Sequence, residues 1–252
     1  MLNAWHAALF FGTGLVAGFV DSIAGGGGLI TMPVLLSSGF DPIAALGTNK
    51  LQATFGSGSA TWHYARAGTV PLAECKRGFA ITFTAAAAGT LLVQQLPRDF
   101  LERTIPVLLI AVAAYSLLRP NLGQAGRPPR MSRGTFDVVF GLLIGFYDGF
   151  FGPGTGTFWA MAYVLALGFD FTRATGHTKV MNFASNLSSL LFFLAAGHVL
   201  FAPGIIMGVG QLLGARFGSR AVVTHGARFI RPIFICVVLA ITAKLLYGAW
   251  RK

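Results

Sequence analysis

The C-terminal half of this chain repeats its N-terminal half, and this duplication constrains the fold more than any other feature. Residues 14–21, with the sequence GLVAGFVD, align with residues 141–148, GLLIGFYD. The alignment continues through three stretches of matched glycines, acids and lysines: 39–41 with 168–170, 45–50 with 174–179, and 67–68 with 196–197. Because an internal repeat forms the same structural unit each time it occurs, the alignment predicts two homologous halves.

Each half consists of a similar series of long apolar segments. Charged residues make up only 11% of the chain, whereas soluble domains contain about 25%, so a water-exposed surface is under-supplied with charge. The segments lie at about 5–22, 28–39, 43–66, 76–96 and 101–119, and again at about 135–150, 155–168, 172–196, 201–222 and 230–249. Such runs predict an all-α integral membrane protein. Its first repeat is 1–119 and its second 135–252, joined by a basic linker, 120–134.

A glycine-rich break follows the first apolar segment of each half, at 25–28 and at 152–156. The segment after each break has about a dozen residues, too few to cross a hydrocarbon core of ~30 Å. It forms half of a broken helix, a re-entrant element or a tilted short span, and the sequence leaves these three alternatives open.

The distribution of positive charge predicts that the two halves face opposite ways. Arginine and lysine concentrate beside 68–73, in the central linker and near 216–231, whereas 197–203 contains none. The positive-inside rule places the three basic connections in the cytoplasm. The equivalent connections 68–73 and 197–203 then lie on opposite sides, which predicts inverted repeats with both termini external. Transporters often have this arrangement, with the substrate site near the midplane.

The net charge of +11 does not indicate nucleic-acid binding. The basic residues lie in short loops beside apolar runs, and they do not alternate with the stacking aromatic side chains that nucleic-acid grooves require. The predicted partners are therefore the lipid bilayer and a small anion.

Four ionisable residues occupy matched positions inside the apolar segments: Asp21 with Asp148, and Lys50 with Lys179. A charge at membrane depth costs ~2.5–3.5 kcal/mol on insertion scales. Either Asp–Lys pairs neutralise each other and lock the halves together, or the lysines bind an anion while the acids act as their partners or as proton carriers. Extension of these side chains to the membrane interface is a third alternative. His177, beside Lys179, is a further candidate for proton coupling.

The glycine breaks supply a second positive element. Where a helix restarts, several backbone N–H groups lack carbonyl partners, and the helix start attracts anions with about half a positive charge. The alternative is that these glycines only permit close packing, the role we assign to the pairs 14/18 and 141/145. Six residues at the breaks are predicted to contact the anion: Gly26, Gly27, Gly28, Gly154, Thr155 and Gly156.

Polar residues near the two lysines share helical faces, because residues three and four apart lie on the same side of a helix. Such a face either hydrogen-bonds an oxyanion or contacts a neighbouring helix, and the sequence does not separate the two. The predicted substrate-binding side chains are Asn49, Lys50, Gln52, Thr178, Lys179 and Asn182.

An intramembrane hydrolase is the main alternative to a transporter, and a non-transporting membrane scaffold is another. Ser59 precedes His63 by four residues, close enough on a helix for the two side chains to touch, whereas Ser57 has poorer geometry. No third residue is placed to orient the histidine as a base, so the sequence favours a protein that is not an enzyme.

Four motifs resemble the TauE/SafE sulfite exporter family, and its YfcA-like branch in particular. They are FVDSIAGGGG at 19–28, ALGTNKLQ at 45–52, GFYDGFFGPGTG at 145–156 and TKVMNF at 178–183. The resemblance covers nearly the whole chain. It implies a bacterial inner-membrane permease of about eight helices that moves sulfite, sulfur-containing anions or small organic acids, with no cofactor. It assigns no binding residue, so the predicted site depends on the physical argument alone.

Overall fold

A computed structural model describes residues 3–118 and 128–225. These residues form nine α-helices and no strand, which confirms the all-α prediction. The helices are α1 (Ala4–Ala24), α2 (Gly27–Ser37), α3 (Pro42–Arg66), α4 (Leu72–Val93), α5 (Arg98–Leu118), α6 (Arg133–Phe150), α7 (Thr155–Leu167), α8 (Phe171–Ala195) and α9 (Phe201–His225). The apolar segment predicted at 230–249 and most of the predicted linker lie outside the described residues.

Equivalent helices of the two halves begin in the same way. The Asp41 carboxylate accepts a hydrogen bond from the N–H of Ile43 at the start of α3. Asp170, at the matched position, accepts one from the N–H of Arg173 at the start of α8. Such caps satisfy backbone donors that have no partner within the helix. The repeated Gly-Phe-Asp motif therefore marks the beginning of the long polar helix in each half.

Close helix packing is also repeated between the halves. α1 packs against α9, and the equivalent α6 packs against α4. Gly14 of α1 lies directly against the backbone of Met207 in α9. Gly145 of α6 lies against the backbone of Thr82 in α4. The glycine pairs assigned to packing have that role, because a methyl group at either position would collide with the neighbouring helix.

The long helices α3 and α8 cross at the centre of the molecule and run antiparallel. Gly47, near the start of α3, lies against His198, just beyond the end of α8. The matched Gly176, near the start of α8, lies against Val70, just beyond the end of α3. Halfway along, Asn186 of α8 donates to Ser57 of α3 over 3.5 Å. Each half therefore contributes one long polar helix to the centre.

The outward faces of the helices are apolar. Leu91 of α4, Leu143 of α6 and Phe217 of α9 are among many large apolar side chains that are exposed. Among the described residues, only Ala4–Ile23 is long and apolar enough to cross a membrane on length and composition alone. The other long helices contain more polar residues. In α3 and α8 many of these polar residues are buried. An apolar outside around a polar inside is the arrangement expected of a lipid-embedded chain.

Candidate functional site

The two glycine breaks meet at the centre of the molecule. Gly26 and Gly154 both adopt left-handed backbone conformations, with φ of 102° and 85°, immediately before α2 and α7. Glycine is favoured there because a side chain would strain this conformation. The backbones of Gly25 and Gly156 touch, since a methyl group on Gly156 would lie only 2.5 Å from the Gly25 Cα. The starts of two short helices, one from each half, therefore converge.

Lys50 and Asp148 form an ion pair between the halves. Lys50 Nζ lies 2.6 Å from Asp148 Oδ1, and the two side chains are 1% and 4% exposed. Lys50 also donates to the Asp148 carbonyl oxygen and to Asn186 Oδ1 over 3.4 Å. The Ser185 hydroxyl donates to the other Asp148 carboxylate oxygen. These contacts use all three ammonium protons and both carboxylate oxygens of the pair.

Lys179 and Asp21 form the corresponding pair in the opposite sense. Lys179 Nζ lies 2.9 Å from Asp21 Oδ2, with the lysine side chain fully buried and the aspartate side chain 20% exposed. Asp21 Oδ1 accepts a hydrogen bond of 3.0 Å from the backbone N–H of Gly27, the first residue of α2. The start of α2 and the Lys179 ammonium together form a site for an anionic group, and the Asp21 carboxylate occupies that site.

A cavity of about 30 Å³ lies where the breaks and the ion pairs meet. One water molecule needs roughly 10–15 Å³ by the same measure, so the cavity has room for about two. Eleven of the predicted site residues line it: Asp21, Gly26, Gly27, Gly28, Asn49, Lys50, Asp148, Gly154, Thr155, Gly156 and Asn182. Most of the residues predicted from the sequence are therefore brought together around one small space.

The other four predicted residues lie behind this cavity or away from it. Lys179 is not among the described residues that line the cavity, but it donates to Asp21, which does line it. Gln52 donates to Asn49 over 2.8 Å, so it supports a lining residue. The Thr178 hydroxyl donates to a carbonyl of its own helix. His177 is bonded to the Arg173 carbonyl and packs against Tyr163 and Phe169 rather than facing the cavity.

Four lining residues were not among those predicted to bind the anion: Ala53, Gly152, Asn186 and Gln211. Gly152 belongs to the recognised break, and it lies close to the Lys50 ammonium. Asn186 follows Asn182 by four residues and shares its helical face. Gln211 can be noticed in the sequence, because it is the one amide side chain in the apolar segment that forms α9. Its position beside the cavity depends on how α9 packs against α1 and α3.

Asn182 retains unused hydrogen-bonding capacity at the cavity. The residue is 4% exposed, and its side-chain oxygen has no hydrogen-bond partner. Its Nδ2 lies beside Gly156 at the start of α7. A buried amide atom without a partner is costly, and native proteins seldom retain one without a reason such as a ligand or an ordered water. An amide oxygen accepts hydrogen bonds and Nδ2 donates them, so an anion in the cavity would take its hydrogen bond from Nδ2, and the oxygen would accept one from a water or another donor.

The serines considered for hydrolysis have other partners. The Ser59 hydroxyl donates to the Leu212 carbonyl over 3.0 Å, and the Ser57 hydroxyl donates to the Ala53 carbonyl over 2.7 Å. Neither hydrogen bond involves His63. A nucleophilic serine needs a base within hydrogen-bond reach, and these bonds do not provide one.

Charges around the cavity are balanced. Among the described residues, the two ion pairs contribute two positive and two negative groups, and the other lining residues are neutral. No group of three or more potential metal ligands occurs in the part of the chain that the structure describes. The chemical capacity of the site is thus to hold a small charged group with ammonium, amide and backbone N–H donors.

Comparisons with known proteins give matches over nearly the whole chain. The family model for "Sulfite exporter TauE/SafE" matches residues 10–245. The chain is 47% identical over 249 residues to "Probable membrane transporter protein YfcA" of Escherichia coli (strain K12), covering 99% of this chain and 93% of the relative. It is 46% identical over 244 residues to "Probable membrane transporter protein ORF9" of Sinorhizobium sp, covering 96% and 94%.

A third relative extends the comparison to another organism. The chain is 43% identical over 240 residues to "Probable membrane transporter protein" of Haemophilus influenzae, covering 95% of this chain and 94% of the relative. No solved structure matches the chain.

Proposed function

Because this chain belongs to the TauE/SafE sulfite exporter family of membrane transporters, we propose that it is an inner-membrane permease for a small oxyanion. The substrate class is sulfite, another sulfur-containing oxyanion, a sulfonate or a small organic acid. The family description supports the sulfur chemistry. The site supports the negative charge and the small size of the substrate.

One observation carries the proposal: both lysine–aspartate pairs join the two halves at the glycine breaks, around a single cavity. In each pair a carboxylate is held by an ammonium group and a second donor, which is the Gly27 N–H for Asp21 and the Ser185 hydroxyl for Asp148. Donors arranged to hold a carboxylate also suit other small oxyanions, since both present charged oxygens at similar spacing. Asn182 adds an amide beside the same space.

The packing of the halves supports alternating access by inverted repeats. Equivalent helices α3 and α8 run antiparallel at the centre, as Gly47 beside His198 and Gly176 beside Val70 require. If both helices cross the bilayer, the halves are inverted relative to each other, as the distribution of basic residues also predicts. In this arrangement both termini are external, and the 120–134 linker is cytoplasmic.

The small cavity implies that the site opens during transport. A volume of about 30 Å³ holds about two waters, so a hydrated oxyanion must shed water and displace protein groups to enter. Movement of one half against the other would widen the space between the two breaks. Inverted-repeat transporters expose a central site to each side in this way.

The test is uptake by the purified full chain in proteoliposomes across a panel of anions. The panel contains sulfite, sulfate, thiosulfate, methanesulfonate, acetate and chloride, each with and without a pH gradient. We expect saturable flux of at least one sulfur oxyanion or organic acid and little chloride flux. Absence of protein-dependent flux of every anion would overturn the proposal. Chemical conversion of an added substrate without vectorial flux would identify a hydrolase instead.

A further inference from the structure

Resting on this proposed function, we propose that Asp21 is the exchangeable carboxylate of the site. The transported anion displaces it from Lys179 and the Gly27 N–H, and the released Asp21 takes up one proton. Asp148 remains paired with Lys50 throughout. The chain is then a proton–anion symporter in which one named carboxylate carries the proton.

The two ion pairs are equivalent in sequence but unequal in structure. Asp148 is 4% exposed, and it is bound by Lys50 and by Ser185. Asp21 is 20% exposed and lines the cavity, while its Lys179 partner lies behind it. An incoming anion therefore meets the Asp21 carboxylate at a position where that carboxylate can move aside.

The two lysines also differ in how many of their ammonium protons are already donated. Lys50 donates to three oxygens, which accounts for all its ammonium protons. In the described part of the chain Lys179 donates to Asp21 alone, so two of its three protons remain for an occupant of the site. When Asp21 leaves, Lys179 and the start of α2 form a vacant anion site with the same donors that held the carboxylate.

Charge balance requires a proton to accompany the anion. The described ionised groups around the cavity sum to zero charge, and an added monoanion would leave one uncompensated negative charge at membrane depth. A carboxylate separated from its cation in such surroundings takes up a proton because the charged form costs several kcal/mol more. The anion gains the Lys179 contact, Asp21 gains the proton, and the loaded site is neutral again.

The groups that face Asp21 favour this assignment. α8 contributes Lys179, α3 contributes Tyr64 and Lys50, and α6 contributes Asp148. The lining residues of α2, α7 and α9 are uncharged. The Tyr64 hydroxyl is occupied as a donor to the Ser22 carbonyl over 2.9 Å. Among the described neighbours, the carboxylates are therefore the groups suited to carry the proton, and Asp21 is the less enclosed of the two.

The test measures proton movement with methanesulfonate, which stays a monoanion over the working pH range, so that any proton taken up belongs to the protein. Proteoliposomes report methanesulfonate flux, internal pH, and the response to a potassium-diffusion potential. Wild type is expected to move one proton per anion and to be insensitive to the potential. Asp21→Asn is expected to transport methanesulfonate without moving a proton. Its flux should therefore depend on the membrane potential. Asp137→Asn, which alters a buried carboxylate paired with Arg133 outside the cavity, serves as the matched control.

Potential-driven methanesulfonate flux without proton movement in the wild type would overturn the inference, as would proton-coupled flux in Asp21→Asn. If Asp21→Asn does not fold, Asp21→Glu provides the second test. The longer side chain of the glutamate is expected to shift the pH at which flux is half-maximal. The control Asp137→Glu is expected to leave that pH unchanged. An unshifted pH profile in Asp21→Glu would overturn the assignment. Absence of flux of every panel anion in the wild type would instead overturn the proposed function.

Discussion

Lys50 and Asp148 are 98 residues apart in the chain, yet they form a 2.6 Å ion pair in which both side chains are almost entirely buried. Asp148 is the repeat counterpart of Asp21, and Asp21 pairs with the repeat counterpart of Lys50. Each half thus supplies the lysine for one pair and the aspartate for the other. Separation of the halves would leave four unpaired charges, so the two pairs hold the halves together.

Removing one member of the buried pair should destabilise the protein more than removing both. Lys50→Met leaves Asp148 as an uncompensated buried charge, which costs about 3–5 kcal/mol, whereas Lys50→Met with Asp148→Asn replaces the pair by two neutral groups. Thermal unfolding in detergent should show a clear drop for the single variant and recovery of most of that drop in the double variant. Lys76→Met, at an exposed lysine, is the control and should match wild type. A double variant no more stable than the single one would contradict the pairing.

Asn182→Ala should weaken anion binding without destabilising the fold. Its side-chain oxygen makes no hydrogen bond, so truncation removes little that stabilises the protein, while a hydrogen bond from its Nδ2 to a charged ligand contributes ~1.5–3 kcal/mol. We expect KM for the transported anion to rise about tenfold or more. Thr175→Ala removes a different buried polar atom without a partner, the Thr175 hydroxyl, which lies outside the cavity, and should leave KM unchanged. Equal effects of the two variants would contradict a binding role for Asn182.

Gly156→Ala should force the two breaks apart. Its methyl group would lie 2.5 Å from the Gly25 Cα, and the clash is between backbone segments that cannot turn aside as a flexible side chain can. We expect transport to be lost and the unfolding temperature to fall. Gly12→Ala is the matched control, since a methyl group there meets nothing within 4 Å. Full transport in Gly156→Ala would show that the breaks do not touch.

Single cysteines placed in the two equivalent connections should be labelled from opposite sides. Gly68 and Gly197 lie in matched turns with positive φ. We expect Gly68→Cys to react with a membrane-impermeant maleimide only from the cytoplasm, and Gly197→Cys only from outside. Both are compared in a background where Cys75 and Cys236 are replaced by serine. Labelling of both from the same side would contradict the inverted arrangement.

Much of the fold was predictable because its signals are local. The helix starts at Asp41 and Asp170 follow from capping chemistry, and the breaks follow from clustered glycines. The four membrane-depth charges pointed to the site because burying them requires partners. The shared face of Asn49 and Gln52 is confirmed by their 2.8 Å hydrogen bond.

Other features depend on how distant segments dock, which local patterns do not specify. The sequence did not determine that each lysine pairs with the aspartate of the other half, or that Gln211 reaches the cavity. His177 illustrates a different difficulty. Neighbours two apart on a helix point about 200° apart, so proximity to Lys179 in the sequence did not place His177 at the cavity.

The most direct test of the central claim is anion flux through lysine variants that still fold. Lys50→Ala, Lys179→Ala and the control Lys76→Ala are reconstituted at equal amounts, with uptake of the best-transported panel anion measured beside thermal unfolding. We predict at least a tenfold loss of flux in the first two variants while both remain folded at the assay temperature, with a lower unfolding temperature in Lys50→Ala, and wild-type flux in the control. Unchanged flux in Lys179→Ala would contradict the claim that Lys179 binds the anion, and unchanged flux in Lys50→Ala would contradict the claim that the Lys50–Asp148 pair maintains the site. Loss of flux only together with loss of folding would make the lysines a structural lock.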